Sequence, residues 1–195
     1  MYSIPESFES KRLLIRAPIW NDGIKVNEAV KESKEELRPW MPWAKNIPTV
    51  EESEVSIRRS RLQFLERSDL RLLLFLKGTD ELVGSSGLLR IDWQARKFEI
   101  GYWVRTSYAN QGYITEEVEA ISSFAINELQ ANRIEIRCDD RNERSARVAE
   151  RLGISLEGTT LRNEKCDVDG SLRNTMIFSK FEEWNFSKTV DSTNG

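Results

Sequence analysis

The sequence predicts an α/β (α+β) domain built on one mixed sheet, and three observations carry that prediction. Segments with strand and helix character follow one another as strand, helices, three strands, helix, strand, helix and two strands. Successive strands with no helix between them close as hairpins, so the sheet is not purely parallel. Neither G-x-G-x-x-G nor G-x-x-x-x-G-K-[ST] occurs, which removes the commonest nucleotide fingerprints and argues against a doubly wound dinucleotide fold.

The first strand is RLLIRAP, from Arg12, closed by Pro18. Asn21 or Asp22 then stands where a cap is needed for a helix carrying Ile24, Val26, Ala29 and Val30. Thr49 opens a longer helix: TVEE puts acids in the first turn, and Glu52 completes a capping box. That helix is expected to reach about Arg67, with Val55, Leu62 and Leu65 among its apolar positions. LRLLLFL (70–76) and ELVGSSGLLRID read as strands joined by the turn residues Gly78, Thr79 and Asp80. ARKFEIGYWV (95–104) is a third strand, rich in aromatic and branched side chains. From Ile114, Val118, Ile121, Ala125 and Leu129 keep helical spacing, and RIEIRC (133–138) alternates as a strand does. Asn142 opens a short helix that stops at Gly153. ISLEGTTLR and NTMIFSKF close the sheet, and the residues from about Ser187 read as a frayed tail.

No repeat, low-complexity block or Pro/Gly-rich linker divides the 195 residues, a length that suits one domain. A chain of this size buries roughly 70% of its unfolded surface and needs no staples. The absence of histidine excludes Ser-His-Asp and Cys-His machinery, His-ligated zinc and an imidazole base. Acid–base chemistry therefore falls to carboxylates, hydroxyls, amines, a thiol or water. Cys138 and Cys166 are too few for a disulfide framework and lack C-x-x-C spacing, so they are read as buried thiols in a reducing cytosol, with no metal. A net charge of −3 and a pI near 5.3 give no drive toward nucleic acid. MYSIPESFES is no secretory signal, and the apolar run 70–76 is broken by Arg71 and too short for a bilayer. A soluble cytoplasmic protein without nucleic-acid or membrane partners is expected.

Two stretches could carry chemistry. In GYWVRTSYANQGYITEEVEA (101–120) a strand ends at Val104 and a helix starts around Gly112. Helix N-termini offer unpaired N–H groups and the positive end of the dipole to phosphates. Gly112 permits close approach, and Asn110 and Gln111 add amide donors. By itself this reads more often as an ordinary strand-to-helix loop. In NERSARVAERLGISLEG (142–158), Asn142 and Ser145 stand one turn apart and can converge on one ligand. Alone, they read as an N-cap and a solvated helix residue.

Together and in order, these stretches resemble the GNAT N-acetyltransferase superfamily, in its RimJ/RimL branch of ribosomal-protein N-terminal acetyltransferases. The points of resemblance are LRPWMPWA (37–44), EIGYWV (99–104), NQGYITEE (110–117), and N-E-R-S followed by A-E-R-L-G. They place a GNAT domain over residues 8–182 and a tail over 183–195. The resemblance implies a mixed, mostly antiparallel sheet with helices on both faces. It also implies a splayed strand pair, 95–104 and 133–138, that holds acetyl-CoA as co-substrate. The pantetheine arm would pair with backbone near Trp103 and Val104 as a pseudo-strand. The pyrophosphate would lie on Asn110, Gln111, Gly112, Tyr113, Ile114 and Thr115, with Asn142 and Ser145 also meeting the cofactor. Where the family shows Q/R-x-x-G-x-G/A, this chain has Ala109 at the first position and Ile114 at the last. Ala109 lacks a side-chain donor and Ile114 replaces a small residue, while backbone recognition survives both changes.

Trp40 and Trp43 fall where this branch lines the acceptor side, and packing between helices and sheet is an equal alternative for them. Arg105 follows the cofactor strand and reads as solvated rather than phosphate-bound. The catalytic pair implied by the resemblance is Ser145, giving a proton to the departing thiolate, and Glu164, accepting one from the amine. Phe178 stands where many relatives have a tyrosine acid, and Glu99 is both an acceptor-side residue and a second candidate base. The implied function is acetyl transfer to a primary amine, most simply a protein N-terminal α-amine. That group has a pKa near 8 against about 10.4 for lysine and needs less help to become nucleophilic. The 32 Asp and Glu against 29 Lys and Arg favour a basic acceptor. A small-molecule amine acetyltransferase and a non-catalytic acyl-CoA-binding regulatory module are the alternatives, and a homo-oligomer stays open.

Overall fold

The structure, a computed structural model, describes residues 4–166 and 169–181. Eight strands form one sheet: β1 (Ser7–Glu9), β2 (Leu13–Arg16), β3 (Leu70–Leu76), β4 (Leu82–Asp92), β5 (Lys97–Val104), β6 (Arg133–Asp139), β7 (Ser155–Lys165) and β8 (Leu172–Phe181). Their spatial order is β1-β2-β3-β4-β5-β6-β8-β7, and every neighbouring pair is antiparallel except β5 and β6. The hairpins between consecutive strands produce this, as expected. Among the described residues five α-helices complete the fold: α1 (Gly23–Glu32), α2 (Lys34–Leu37), α3 (Val50–Glu66), α4 (Tyr113–Asn127) and α5 (Glu143–Arg151).

Alternate residues of β3 feed two cores. Leu72 and Leu74 pack with Val118, Ile121 and Val148 of α4 and α5, whereas Leu73 and Phe75 pack with Val26, Val30 and Ile57 of α1 and α3. A strand buried on both faces reads as a continuous apolar run, which is what LRLLLFL is. The helices thus cover both faces, as the resemblance implied. The sequence reading lacked β1, which is three residues long, and α2, which is four.

The capping box of α3 is formed: Thr49 Oγ1 accepts from the Glu52 N–H at 3.1 Å, and the Glu52 carboxylate accepts from the Thr49 N–H at 2.8 Å. The face expected for α3 is corrected. Val55, Leu62 and Leu65 are exposed, and Ser53, Ile57, Ser60 and Phe64 are buried instead. The cause is the closeness of α1. A Cβ on Gly23 would stand 2.5 Å from the Glu54 Cα, so only small side chains fit between the helices. The Ser53 hydroxyl accepts a bond from Asn27 Nδ2 at 3.1 Å, and the Ser60 hydroxyl accepts one from Arg71 at 3.3 Å. Asp22 occupies the N-cap of α1 without a capping bond; its carboxylate holds Arg16. Glu54 of α3 takes its place by accepting from the N–H groups of Asn21 and Gly23. Gly153 ends α5 at φ +66°, as its position predicted. The tail from 183 lies outside the described residues.

Candidate active site

β5 and β6 pair at only three positions, Lys97 with Arg133, Phe98 with Ile134, and Glu99 with Glu135. Beyond them each strand follows its own antiparallel neighbour: β5 stays with β4 to Val104, and β6 stays with β8 to Asp139. The two strands therefore separate, leaving the inner edge of 100–104 without a strand beside it among the described residues. A cavity of about 850 Å³ opens in the gap, lined by Tyr102, Trp103 and Val104 on one side and by Ile136, Cys138 and Asp139 on the other. Unpaired N–H and C=O groups on a strand edge are a template for an extended ligand.

At the mouth, residues Asn110 and Gly112 take left-handed backbone conformations, at φ +61° and +80°, and turn the chain into α4. Glycine adopts this geometry without the steric penalty of a Cβ. No side chain caps α4, so the N–H groups of its first turn face the cavity that Gly112, Tyr113, Ile114 and Thr115 line. Arg12 of the β1–β2 connection braces this turn. Its Nε meets Glu116 at 2.6 Å, its Nη1 donates to the Gln111 carbonyl at 3.1 Å, and its guanidinium lies 4.0 Å over the Tyr113 ring. Gln111 differs from expectation: its side chain donates back to the Ser107 carbonyl at 2.9 Å and does not line the cavity. Arg105 is neither free nor in the cavity, being held by Glu32 at 2.6 Å.

The start of α5 forms the opposite wall. Asn142 caps the helix by accepting from the Ser145 N–H at 3.2 Å, which fixes Ser145 at the cavity. The Ser145 and Tyr102 hydroxyls are 3.0 Å apart, and the Tyr102 hydroxyl also reaches the Ser145 carbonyl at 3.2 Å. Burial pushes the Tyr102 phenol well above its usual range, and it pushes the Cys138 thiol up to about 11. Both groups are therefore neutral at physiological pH, and Cys138 is not a thiolate nucleophile. Both cysteines are buried, as expected from the sequence.

Carboxylates and aromatic rings line the remaining part. Glu99 is mostly buried, and burial pushes its pKa up despite Arg90 at 3.4 Å and Arg137 at 3.3 Å. Glu164 also lines the cavity and is near enough to push Glu99 higher. It lies within strand β7, opposite Arg173. Neither Glu164 nor Glu36, on the same rim, forms an ion pair among the described residues. Trp43 is 46% exposed, with its ring 6.0 Å from that of Trp103, and Trp40 lines the cavity beside it. Arg173, buried in β8, donates to the Pro39 carbonyl at 2.6 Å and so ties the PWMPW segment over the opening. Phe178 is a core residue at 2% exposure and does not reach the cavity. Sequence reasoning missed Arg12, Tyr102 and Arg173 because each acts through a partner distant in the chain. For Tyr102, its place in EIGYWV was the only local signal.

The family model described as the acetyltransferase (GNAT) domain matches residues 12–155. Among known proteins, YdaF of Bacillus subtilis (strain 168), named for ribosomal N-acetyltransferase activity, is 29% identical over 150 residues, 76% of this chain and 81% of its own. The ribosomal-protein-serine acetyltransferase of Escherichia coli (strain K12) is 29% identical over 124 residues, 62% of this chain and 69% of its own. Among solved structures, the microcin self-immunity acetyltransferase MccE, in complex with acetyl-CoA and AMP, superimposes with a TM-score of 0.83 at 20% identity, over 91% of this chain and 97% of its own. RimL, a ribosomal-protein acetyltransferase in complex with coenzyme A, gives 0.82 at 22% identity over the same shares. The chain belongs to the GNAT family of N-acetyltransferases, enzymes that move an acetyl group from acetyl-CoA to an amine.

Proposed function

We propose that this N-acetyltransferase acetylates the α-amine of a protein N-terminus, of the kind acted on by the ribosomal-protein acetyltransferases it is similar to. The observation that carries the reading is the meeting of three features in one cavity: an unpaired strand edge, an uncapped helix N-terminus, and a rim of carboxylates and tryptophans. The first two suit the two ends of acetyl-CoA. The β5 edge near Trp103 and Val104 would pair with its amide arm, and the α4 N–H groups from Gly112 to Thr115 would take its pyrophosphate. Asn110 and Asn142 border the same path. Acetyl-CoA supplies the activated acyl thioester. Glu36, Glu99 and Glu164, with the faces of Trp40 and Trp43, give the acceptor side an affinity for a cationic amine.

Within this site Glu164, which carries no ion pair, takes the proton of the incoming ammonium, directly or through water. Glu99, pinned by two guanidinium groups, orients that ammonium. The nitrogen bonds to the acetyl carbon as the carbon–sulfur bond breaks and loses its second proton to water, while Ser145 gives its proton to the leaving sulfur and recovers one from solvent through Tyr102. The test is thiol release from acetyl-CoA with a panel of N-terminal peptides, lysine-containing peptides and small amines, followed by mass analysis of the acetylated position. Acetylation of peptide α-amines supports the reading. Turnover confined to small amines replaces it with a small-molecule enzyme, and binding of acetyl-CoA without turnover of any amine replaces it with a binding module.

A further inference from the structure

Glu117 stands apart among the ionisable groups of the described residues. It lies one turn into α4, is fully buried, and neither of its carboxyl oxygens has a hydrogen-bond partner. It does not line the cavity. Its position relative to the site follows from strand register. Ser86 of β4 and Tyr102 of β5 are direct cross-strand partners, and Glu117 bears on both. The Ser86 hydroxyl, which would favour the charged form, already donates to the Gly101 carbonyl at 2.9 Å. Tyr102 lines the cavity, with its hydroxyl 3.0 Å from that of Ser145. Glu117 thus lies outside the cavity, on the side of a pair that lines it.

We propose that Glu117 is a positioning residue for the transfer step: neutral, it leaves the Tyr102 hydroxyl to Ser145, and ionised, it sets a negative charge behind that pair and slows proton donation into the cavity. The inference rests on the reading of Ser145 as the acid. A carboxylate at this place would make the Tyr102–Ser145 pair a weaker acid and would oppose the negative charge that develops on the leaving sulfur, in surroundings where charges are poorly screened. Among the described residues no cation is placed to offset it. Arg12, from the β1–β2 connection, is turned to Glu116; from β4 the facing group is Ser86, from β5 Tyr102, from β6 Cys138 by way of Tyr102, and from α5 Ser145. Glu119, on α4 itself, is exposed. Burial pushes the Glu117 carboxyl up to about 8, so the change falls where an amine acetyltransferase works.

The experiment is the pH profile of kcat at saturating acetyl-CoA and acceptor for the wild-type protein, Glu117→Gln and Ser145→Ala. In the wild type, kcat should fall about tenfold between about pH 7 and pH 9 as the neutral fraction of Glu117 falls. Glu117→Gln, which cannot ionise, should lose that fall, and Ser145→Ala should be slow at every pH. Should the buried amide prevent folding, Glu117→Met provides the same readout without a buried polar atom. A wild-type profile with no alkaline fall, or an identical fall in the Glu117 variants, overturns the inference while a slow Ser145→Ala leaves Ser145 in its role. Normal turnover by Ser145→Ala at every pH overturns the role of Ser145, and the inference with it.

Discussion

Replacing Glu117 with methionine should stabilise the protein, and the gain should grow with pH. The carboxyl is held near a pKa of about 8, against 4.5 for the unburied group, because burial disfavours its charge. The folded state therefore keeps a proton that the unfolded chain has released, and stability falls as pH rises from about 4.5 to about 8. Each pH unit in that interval costs about 1.4 kcal/mol, which comes to about 3 kcal/mol at pH 7 and about 5 kcal/mol once the pH exceeds 8. Methionine has a similar reach, carries no charge and adds apolar contact to the core of Val118 and Ile121. Glu117→Met should raise the stability by about 3 kcal/mol at pH 7, or roughly 6–12 °C in Tm for a chain of this size. The assay is urea unfolding followed by tryptophan fluorescence at about pH 5.5, 7 and 8.5 for both proteins. Below pH 4.5 the two should converge apart from the packing gain. A stability difference that is the same at all three pH values would refute the claim that this carboxyl is neutral in the fold. A variant less stable than the wild type at pH 8.5 would refute the claim that it lacks a partner.

Four further outcomes are expected. Gly112→Trp forces a residue with a Cβ into φ +80° at the turn before α4; the dissociation constant of coenzyme A, measured by calorimetry on folded protein, should rise about tenfold or more. Glu164→Gln should lower kcat on the order of 10² with coenzyme A binding kept, whereas near-normal kcat there and collapse in Glu99→Gln would assign the base to Glu99. Trp43→Ala should raise KM for the peptide about tenfold and leave coenzyme A affinity unchanged, as measured by steady-state kinetics and titration. Added salt should raise KM for a basic peptide by screening its attraction to Glu36, Glu99 and Glu164, and a preference for acidic peptides in the same assay would refute that attraction.

The parts of the fold that were legible in the sequence are those whose cause lies within a few residues. The Thr49–Glu52 capping box, the turn at Gly78, the left-handed Gly112 and the stop at Gly153 each need only neighbours in the chain. The apolar run 70–76 was legible as a strand for the same reason, and the structure adds that it is covered on both faces. The site was legible as an ordered set of motifs, because a loop, a helix start and an Asn-x-x-Ser pair keep their spacing wherever they occur. The geometry that makes them one site was not. Divergence of β5 from β6 is decided by the separate registers of β4 and β8. Arg173 reaches Pro39 across most of the chain, and Tyr102 meets Ser145 across 43 positions.

The misread face of α3 and the unread Glu117 have different physical meanings. In α3 the rule of apolar spacing lost to a shape constraint: helices close enough to require Gly23 exclude Val55, Leu62 and Leu65 and accept hydrogen-bonded serines. The inward face is satisfied, and the exposed side chains forgo only the burial energy they would have gained, about 1.5–3 kcal/mol each. No such compensation exists for Glu117, which has neither a hydrogen-bond partner nor a counter-ion among the described residues. Were its position only structural, any apolar residue of similar volume would serve better, by the amount derived above. A carboxyl kept at that cost, behind the one tyrosine that holds Ser145, is explained if its protonation state matters to the chemistry. Replacing Glu117 by methionine should therefore leave turnover unchanged at low pH, where stability gains only the packing term, and raise both turnover and stability at high pH. A purely structural residue has no reason to move turnover together with stability.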